Sequence, residues 1–84
     1  MKERLIVRAD LTLIDRGRLI DLMDTLFKNF KFNYIKEGTN IGKGIFLLEG
    51  EGENLLQLRK SLNIVRIEGK GDVSPFKTEG VPLE

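Results

Sequence analysis

The spacing of hydrophobic residues changes twice along this chain, from the period of a strand to the period of a helix. In residues 4–13, apolar side chains alternate with mostly polar ones, which is the two-residue period of a half-buried strand. Residues 15–30 place apolar side chains at helical spacing along one stripe, formed by Leu19, Leu22, Met23, Leu26, Phe27 and Phe30. This part therefore predicts a strand followed by an amphipathic helix, with Asp15 as its N-cap and Thr12 as a competing candidate.

The remainder of the chain predicts three more strands and a second helix. Residues 31–37 are rich in aromatic and β-branched types and predict a second strand, which Gly38 closes. A glycine-rich turn leads to residues 44–50, which are apolar on both alternating faces, as is typical of a strand in the middle of a sheet. Residues 55–62 then predict a short helix, and residues 64–68 predict the last strand.

The resulting order, β-α-β-β-α-β, predicts an α+β fold of the ferredoxin-like type. Such a plait has a four-stranded antiparallel sheet with both helices on one face, and right-handed crossovers place strands one and three at its centre. We expect one domain over residues 1–69. Residues 70–84 contain two glycines and both prolines, so they predict a C-terminal tail that is disordered or adds an edge, and the domain is expected to fold without it.

The composition argues against catalysis. The chain has no His and no Cys, which removes the usual imidazole base, the thiolate nucleophile, the disulfide framework and nearly every structural zinc site. Asp21 and Asp24 lie one turn apart on the polar side of the first helix, but no third acidic residue joins them at ligand spacing. We therefore expect a protein that is not an enzyme, with no metal and no cofactor.

Charge and hydropathy restrict the partners and the compartment. Fourteen basic and thirteen acidic residues give a net charge of +1, so the global electrostatic signature of a nucleic-acid binder is missing. No apolar run approaches the roughly 18 residues of a membrane span, and nothing reads as a signal peptide. The sequence accordingly predicts a cytoplasmic protein with no membrane partner.

Two further features of the sequence concern binding chemistry. The segment GTNIGKG at residues 38–44 has the glycines and lysine of a phosphate loop, but Gly44 stands where that motif needs Ser or Thr, and a strand follows instead of a helix. A turn explains its glycines better. Arg8, Phe46 and Arg66 form the alternative hypothesis of a single-stranded nucleic-acid face, with Phe46 stacking on a base and the arginines holding phosphates across the open side of the sheet.

The junction of the first strand and first helix is the most informative stretch. Asp15, Arg16, Gly17 and Arg18 start the helix, where open backbone amides and positive side chains favour a small anionic or zwitterionic ligand. Asp15 is predicted to act as cap or amine acceptor, and the Gly17 amide as anion donor.

The same stretch carries a family resemblance. In its Asp15, Gly17, Leu19, Asn33 and glycine-flanked strand at residues 44–50, the chain resembles ACT domains and the related NIL domains of methionine-transporter ATPases. The resemblance covers roughly residues 4–68, although Arg16 replaces the Pro that commonly precedes the ACT glycine. It implies a regulatory plait that binds an amino acid or similar ligand at a dimer interface.

A dimer is also expected from the strand pattern. If one apolar set of the third strand joins the core, the other set lies beside Ile6 and Ile64 with nothing from the same chain to cover it. The prediction is thus a dimeric, non-catalytic domain that binds a small ligand. A nucleic-acid-binding plait and a pure assembly module that takes no ligand remain as alternatives.

Overall fold

The predicted element order is confirmed, with changes in several boundaries. The structure, a computed structural model, describes residues 1–69 and 71–81. Its elements are β1 (Lys2–Ala9), α1 (Arg16–Phe30), β2 (Asn33–Tyr34), β3 (Ile45–Glu51), α2 (Gly52–Asn63) and β4 (Phe76–Val81), with a 3₁₀ turn at Ile41–Lys43 before β3. The fold is α+β, with a four-stranded antiparallel sheet and two helices, consistent with a ferredoxin-like plait.

The sheet has the strand order β2-β3-β1-β4, so β1 and β3 are central as predicted. In the pairing of β1 with β3, Leu5 lies opposite Leu48 and Val7 lies opposite Phe46. Directly opposite residues share a face of the sheet, and successive residues alternate between faces. The register therefore assigns these four side chains to one face and Ile6 and Leu47 to the other.

The core lies between the helices and the face that carries Leu5 and Val7. Both helices bury every third or fourth residue against it, as the helical stripe predicted. Gly50 lies on this face next to Phe32, where a Cβ at position 50 would make an ordinary contact of 3.4 Å with the Phe32 Cβ. The buried residues of the core are Leu5, Val7, Ala9, Ile14, Leu19, Met23, Leu26, Phe32, Phe46, Leu48, Leu55, Leu58, Leu62 and Phe76.

The predicted position of the last strand is wrong. Residues 64–68 form no strand, and Ile64 is 78% exposed, while Phe76–Val81 pairs with β1 at the sheet edge. The physical reason is packing, because Phe76 lies opposite Ala9, whose short side chain leaves space for a buried ring. Residues 76–81 of the predicted tail thus belong to the sheet, and residues 70 and 82–84 lie outside the described residues.

The first strand is shorter than predicted because a turn follows it. The backbone N–H groups of Leu13 and Ile14 donate to the Asp10 carbonyl at 3.0 and 3.2 Å. The Asp10 carboxylate accepts from the Thr12 N–H at 2.9 Å and from its hydroxyl at 2.6 Å, and these bonds hold the pKa of Asp10 below its usual value. Thr12 therefore closes this turn and does not cap α1.

The second strand is also much shorter than predicted. After Ile35 the chain turns over β3, and the Leu47 N–H donates to the Thr39 hydroxyl at 3.1 Å instead of to a strand partner. A Cβ on Gly38 would clash with the Leu47 side chain, so only glycine allows this close approach. β2 therefore ends at Tyr34 and leaves space beside α1.

Candidate functional site

The predicted ligand loop at the start of α1 is exposed, and the backbone amides of Gly17 and Arg18 are engaged. The Asp15 carboxylate caps the helix, since its Oδ1 accepts from the Gly17 N–H at 2.8 Å and from the Arg18 N–H at 3.2 Å. The capping role predicted for Asp15 is confirmed. The Gly17 amide already has this partner, so an anion at the junction would meet the exposed Arg16 and Arg18 side chains instead.

The alternative nucleic-acid face is not formed by the residues predicted for it. Arg8 is exposed on the side of the sheet away from the helices, but Phe46 lies on the helix side and is 1% exposed. Arg66 lies in the loop after α2, where its guanidinium donates to the Asn63 carbonyl at 2.6 Å and the Val65 carbonyl at 2.9 Å. The structure therefore does not bring Arg8, Phe46 and Arg66 together.

The side of the sheet away from the helices carries a half-buried apolar band. We call it the open sheet face, and the register assigns to it Arg4, Ile6, Arg8, Asn33, Ile35, Ile45, Leu47, Glu49, Lys77, Glu79 and Val81. Ile6 and Leu47 lie opposite each other at its centre, and each is only partly covered within its own chain.

Charged side chains surround this band in an uneven pattern. Arg8 and Lys77 pair across β1 and β4 and make one end of the face positive. At the other end Arg4 and Glu49 form an ion pair, with 3.7 Å between the Arg4 Nε and a Glu49 carboxylate oxygen. That Nε is buried and has no hydrogen-bond partner among the described residues. Glu79 lies beside Ile6 at the outer edge.

A second candidate site is a cleft on the helix side, where β2 ends early. It has a volume of about 460 Å³ and lies between α1 and the segment that connects β2 to β3. Its size falls within the range of small-molecule sites. The residues that line it are Ile20, Asp24, Tyr34, Lys36, Thr39, Asn40, Ile41 and Phe46.

Aromatic rings form the base of the cleft. The Tyr34 ring stacks on Phe27 with 5.7 Å between centroids and an angle of 3°, and it lies 6.0 Å from the Phe46 ring. Burial raises the pKa of Tyr34 to about 12, and the negative charge of Asp24 adds to this effect. Both causes disfavour a further negative charge at the Tyr34 hydroxyl.

The sequence interpretation missed this cleft. It placed Tyr34 and Lys36 in a full strand and Asp24 on a solvated helix face, so nothing brought the three together. The available signal was the glycine and the polar residues that follow Ile35, because they favour an early turn over a continued strand.

Comparison with known proteins identifies no relative. The chain matches no family model, no curated protein and no solved structure. Within residues 1–69 and 71–81, no three acidic side chains come together as a metal-binding group. In the same part of the chain, neither helix is long and apolar enough to cross a membrane.

Proposed function

We propose that this protein is a non-catalytic binding domain that works as a homodimer, with two copies joined through the open sheet face. The observation that carries the proposal is the half-buried apolar band centred on Ile6 and Leu47. Covering apolar surface contributes about 25 cal/mol per Å², and an apolar patch with a charged rim is typical of an interaction site. A second copy is the partner that this surface fits best.

The charge pattern of the open sheet face supports pairing with itself. In a two-fold dimer, both copies use the same surface patch to form the interface. A two-fold axis through the centre of the Ile6–Leu47 pair and oblique to the strands brings Lys77 of one copy towards Glu49 of the second. The same rotation brings Glu79 towards Arg4, so opposite charges meet around an apolar centre.

The size of the face predicts a reversible dimer. Four strands about 4.8 Å apart and three outward rows of residues about 6.8 Å apart give a face of about 20 Å by 20 Å. Two such faces bury about 800 Å² in total, which is below the range of stable complexes and within that of weak, transient ones. We therefore expect dissociation constants in the micromolar range.

Ligand binding is the regulatory part of the proposal. It rests on the resemblance of Asp15, Gly17, Leu19 and Asn33 to ACT and NIL domains, in which a ligand acts at a dimer interface. Arg16 and Arg18 support an anionic or amino-acid ligand because both are exposed and lie one and three residues after the capping Asp15. A pure assembly module would form the same dimer without a response to any ligand.

Sedimentation velocity over a concentration series tests the dimer. We expect the wild-type chain to shift from monomer to dimer between about 10 µM and about 500 µM. Ile6→Lys should abolish the shift because it places a charge in the apolar centre. Leu56→Lys makes the same kind of change at an exposed position of α2, outside the open sheet face, and should leave the shift unchanged.

Charge reversal tests the proposed arrangement of the two copies. Lys77→Glu and Glu49→Lys should each weaken the dimer, and the double variant should restore part of it, because the opposite charges are exchanged between the copies while the Arg4–Glu49 ion pair within each chain is lost. Unfolding midpoints of all variants separate these effects from loss of folding. A wild-type chain that stays monomeric, or a dimer that Leu56→Lys disrupts and Ile6→Lys does not, would contradict the proposal.

A further inference from the structure

The cleft beside α1 is a site separate from the open sheet face. Its walls and base come from one chain, and Tyr34 and Phe46 point to the helix side of the sheet. The cleft therefore does not need a second copy to be complete. It also does not include Asp15, Arg16, Gly17 or Arg18, so it is distinct from the predicted ligand loop.

The early end of β2 creates the cleft. Residues 36–39 leave the sheet edge because the Gly38 and Thr39 N–H groups both donate to the Ile35 carbonyl, at 3.2 and 3.1 Å, and Asn40 then pairs with Ile45. The Thr39 hydroxyl, which donates to the same carbonyl at 2.9 Å, fixes the turn to β3. The chain then continues to Ile41, which lines the cleft together with Ile20 of α1.

The lining favours an apolar body in the middle of the cleft. Ile20 and Ile41 come from opposite walls, and the Tyr34 ring lies between Phe27 and Phe46 in a cluster of aromatic side chains. Aromatic faces bind apolar groups, and they also attract cations through their negative π surface. Ile41 is 41% exposed, so a ligand that covered it would gain from removing apolar surface from water.

The charge beside Tyr34 favours a cation over an anion. Asp24 lies on the α1 wall, and its carboxylate is close enough to the Tyr34 hydroxyl to act on its ionisation. Lys36 is the positive group of the lining and comes from the opposite, connecting segment. A ligand with its charged end next to Asp24 and Tyr34 gains an ion pair and an aromatic contact on the α1 side.

We propose that this cleft binds a small organic amine, with its apolar or aromatic body between Ile20 and Ile41 and its ammonium group beside Asp24. An amine of this class matches the apolar walls and the acidic group of the α1 wall. Its body covers Ile20 and Ile41, and its charge pairs with the Asp24 carboxylate next to the Tyr34 ring. For an amine as small as phenethylamine, the expected dissociation constant is in the millimolar range.

The test is a titration of the full chain with phenethylamine, followed by amide and methyl chemical shifts. The matched acid, 3-phenylpropionate, has the same aromatic body with the opposite charge, and phenylalanine carries both charges. We expect saturable shifts at Ile20, Tyr34 and Ile41 with phenethylamine, weaker binding of phenylalanine, and none of 3-phenylpropionate. Ile6→Lys should bind phenethylamine like the wild type, which separates this site from the proposed dimer.

Two acidic residues of α1 provide a matched pair of variants. Asp24→Asn should weaken phenethylamine binding about fivefold, the effect of losing an ion pair worth close to 1 kcal/mol at a partly exposed site. Asp21→Asn removes the same charge one turn away, outside the cleft, and should leave binding unchanged. Lys36→Ala should strengthen binding or leave it unchanged. The proposal is overturned if 3-phenylpropionate binds as well as the amine, if Asp21→Asn and Asp24→Asn weaken binding equally, or if no saturable shifts arise in the cleft.

Discussion

Ala9 lies directly opposite Phe76 in the antiparallel pairing of β1 with β4, and both side chains are buried. A backbone hydrogen bond extends the pairing of the two strands by one residue, because the Asp10 N–H donates to the Pro75 carbonyl at 2.8 Å. Further along β4, the Arg59 guanidinium of α2 donates to the Thr78 hydroxyl at 2.8 Å. β4 is thereby held to both the central strand and the second helix.

Replacing Phe76 should destabilise the whole domain. Phe76→Ala removes a buried ring beside the small Ala9 side chain, and we expect a loss of about 3 to 5 kcal/mol in the free energy of unfolding. Denaturant unfolding followed by circular dichroism measures it. Val73→Ala, at a position 53% exposed in the preceding loop, should change the value by less than about 0.5 kcal/mol. Equal effects of the two substitutions would mean that β4 contributes little to the fold.

Substitutions at Leu19 and Leu22 test which face of α1 packs against the sheet. Leu19 is fully buried, while Leu22 is only partly buried against the core. Leu19→Ala should cost about 2 to 5 kcal/mol, and Leu22→Ala clearly less, since less apolar surface and a smaller cavity are involved. Chemical denaturation of both variants under the same conditions checks the order. The reverse order would show that the helix presents a different face to the sheet.

The Asp15 carboxylate should contribute to stability as a helix cap. Asp15→Ala leaves the Gly17 and Arg18 N–H groups without their acceptor, and we expect a loss of about 1 kcal/mol. Asp15→Asn should retain most of this contribution because its amide oxygen can accept the same bonds. Thermal unfolding of the three proteins measures the difference. If Asp15→Ala proves neutral, the capping bonds have no net effect on folding.

The pKa of Tyr34 should depend on the negative charge of Asp24 in the cleft. It is the one tyrosine of the chain, so phenolate absorbance follows it without interference, and its pKa should be raised to about 12. Asp24→Asn should lower that pKa in part, and burial should keep it above the ordinary value of 10.

The same titration has a consequence for stability at high pH. Because the pKa of Tyr34 is raised in the folded state, the unfolded chain loses this proton first. The contribution of Tyr34 to stability should therefore fall as the pH rises from about 10 to about 12. Unfolding free energies across this window, compared with those of Tyr34→Phe, measure the contribution. A Tyr34 that titrates at its ordinary pKa would contradict the partly buried position beside Asp24.

Periodicity was sufficient to predict the central part of the fold. The strand around Leu5 and Val7 buries one face, and so does the helix from Leu19 to Leu26, as their spacing predicts. Short connections between these elements leave few possible topologies. The N-cap at Asp15 was also predictable, since the bonds that define it are local.

The errors arose where contacts distant in sequence decide the structure. Residues 64–68 have a stronger strand pattern than residues 76–81, but the β1 edge accepts Phe76 because Ala9 leaves space for a ring. The early end of β2 depends on the Thr39 hydroxyl, which replaces a strand partner for Leu47. The turn after Ile35 had a sequence signal, but the position of Asp24 beside Tyr34 depends on how α1 packs against the sheet, which no local pattern gives.

Pairing of two copies through the open sheet face is tested most directly by an isotope-filtered NOE experiment on a mixture of labelled and unlabelled chains at high concentration. The Ile6 and Leu47 methyl groups should give intermolecular NOEs to each other, because both lie at the centre of the proposed interface. These signals should disappear in Ile6→Lys. Intermolecular NOEs from α1 or α2 instead, or none at a concentration where sedimentation detects a dimer, would contradict the proposed interface.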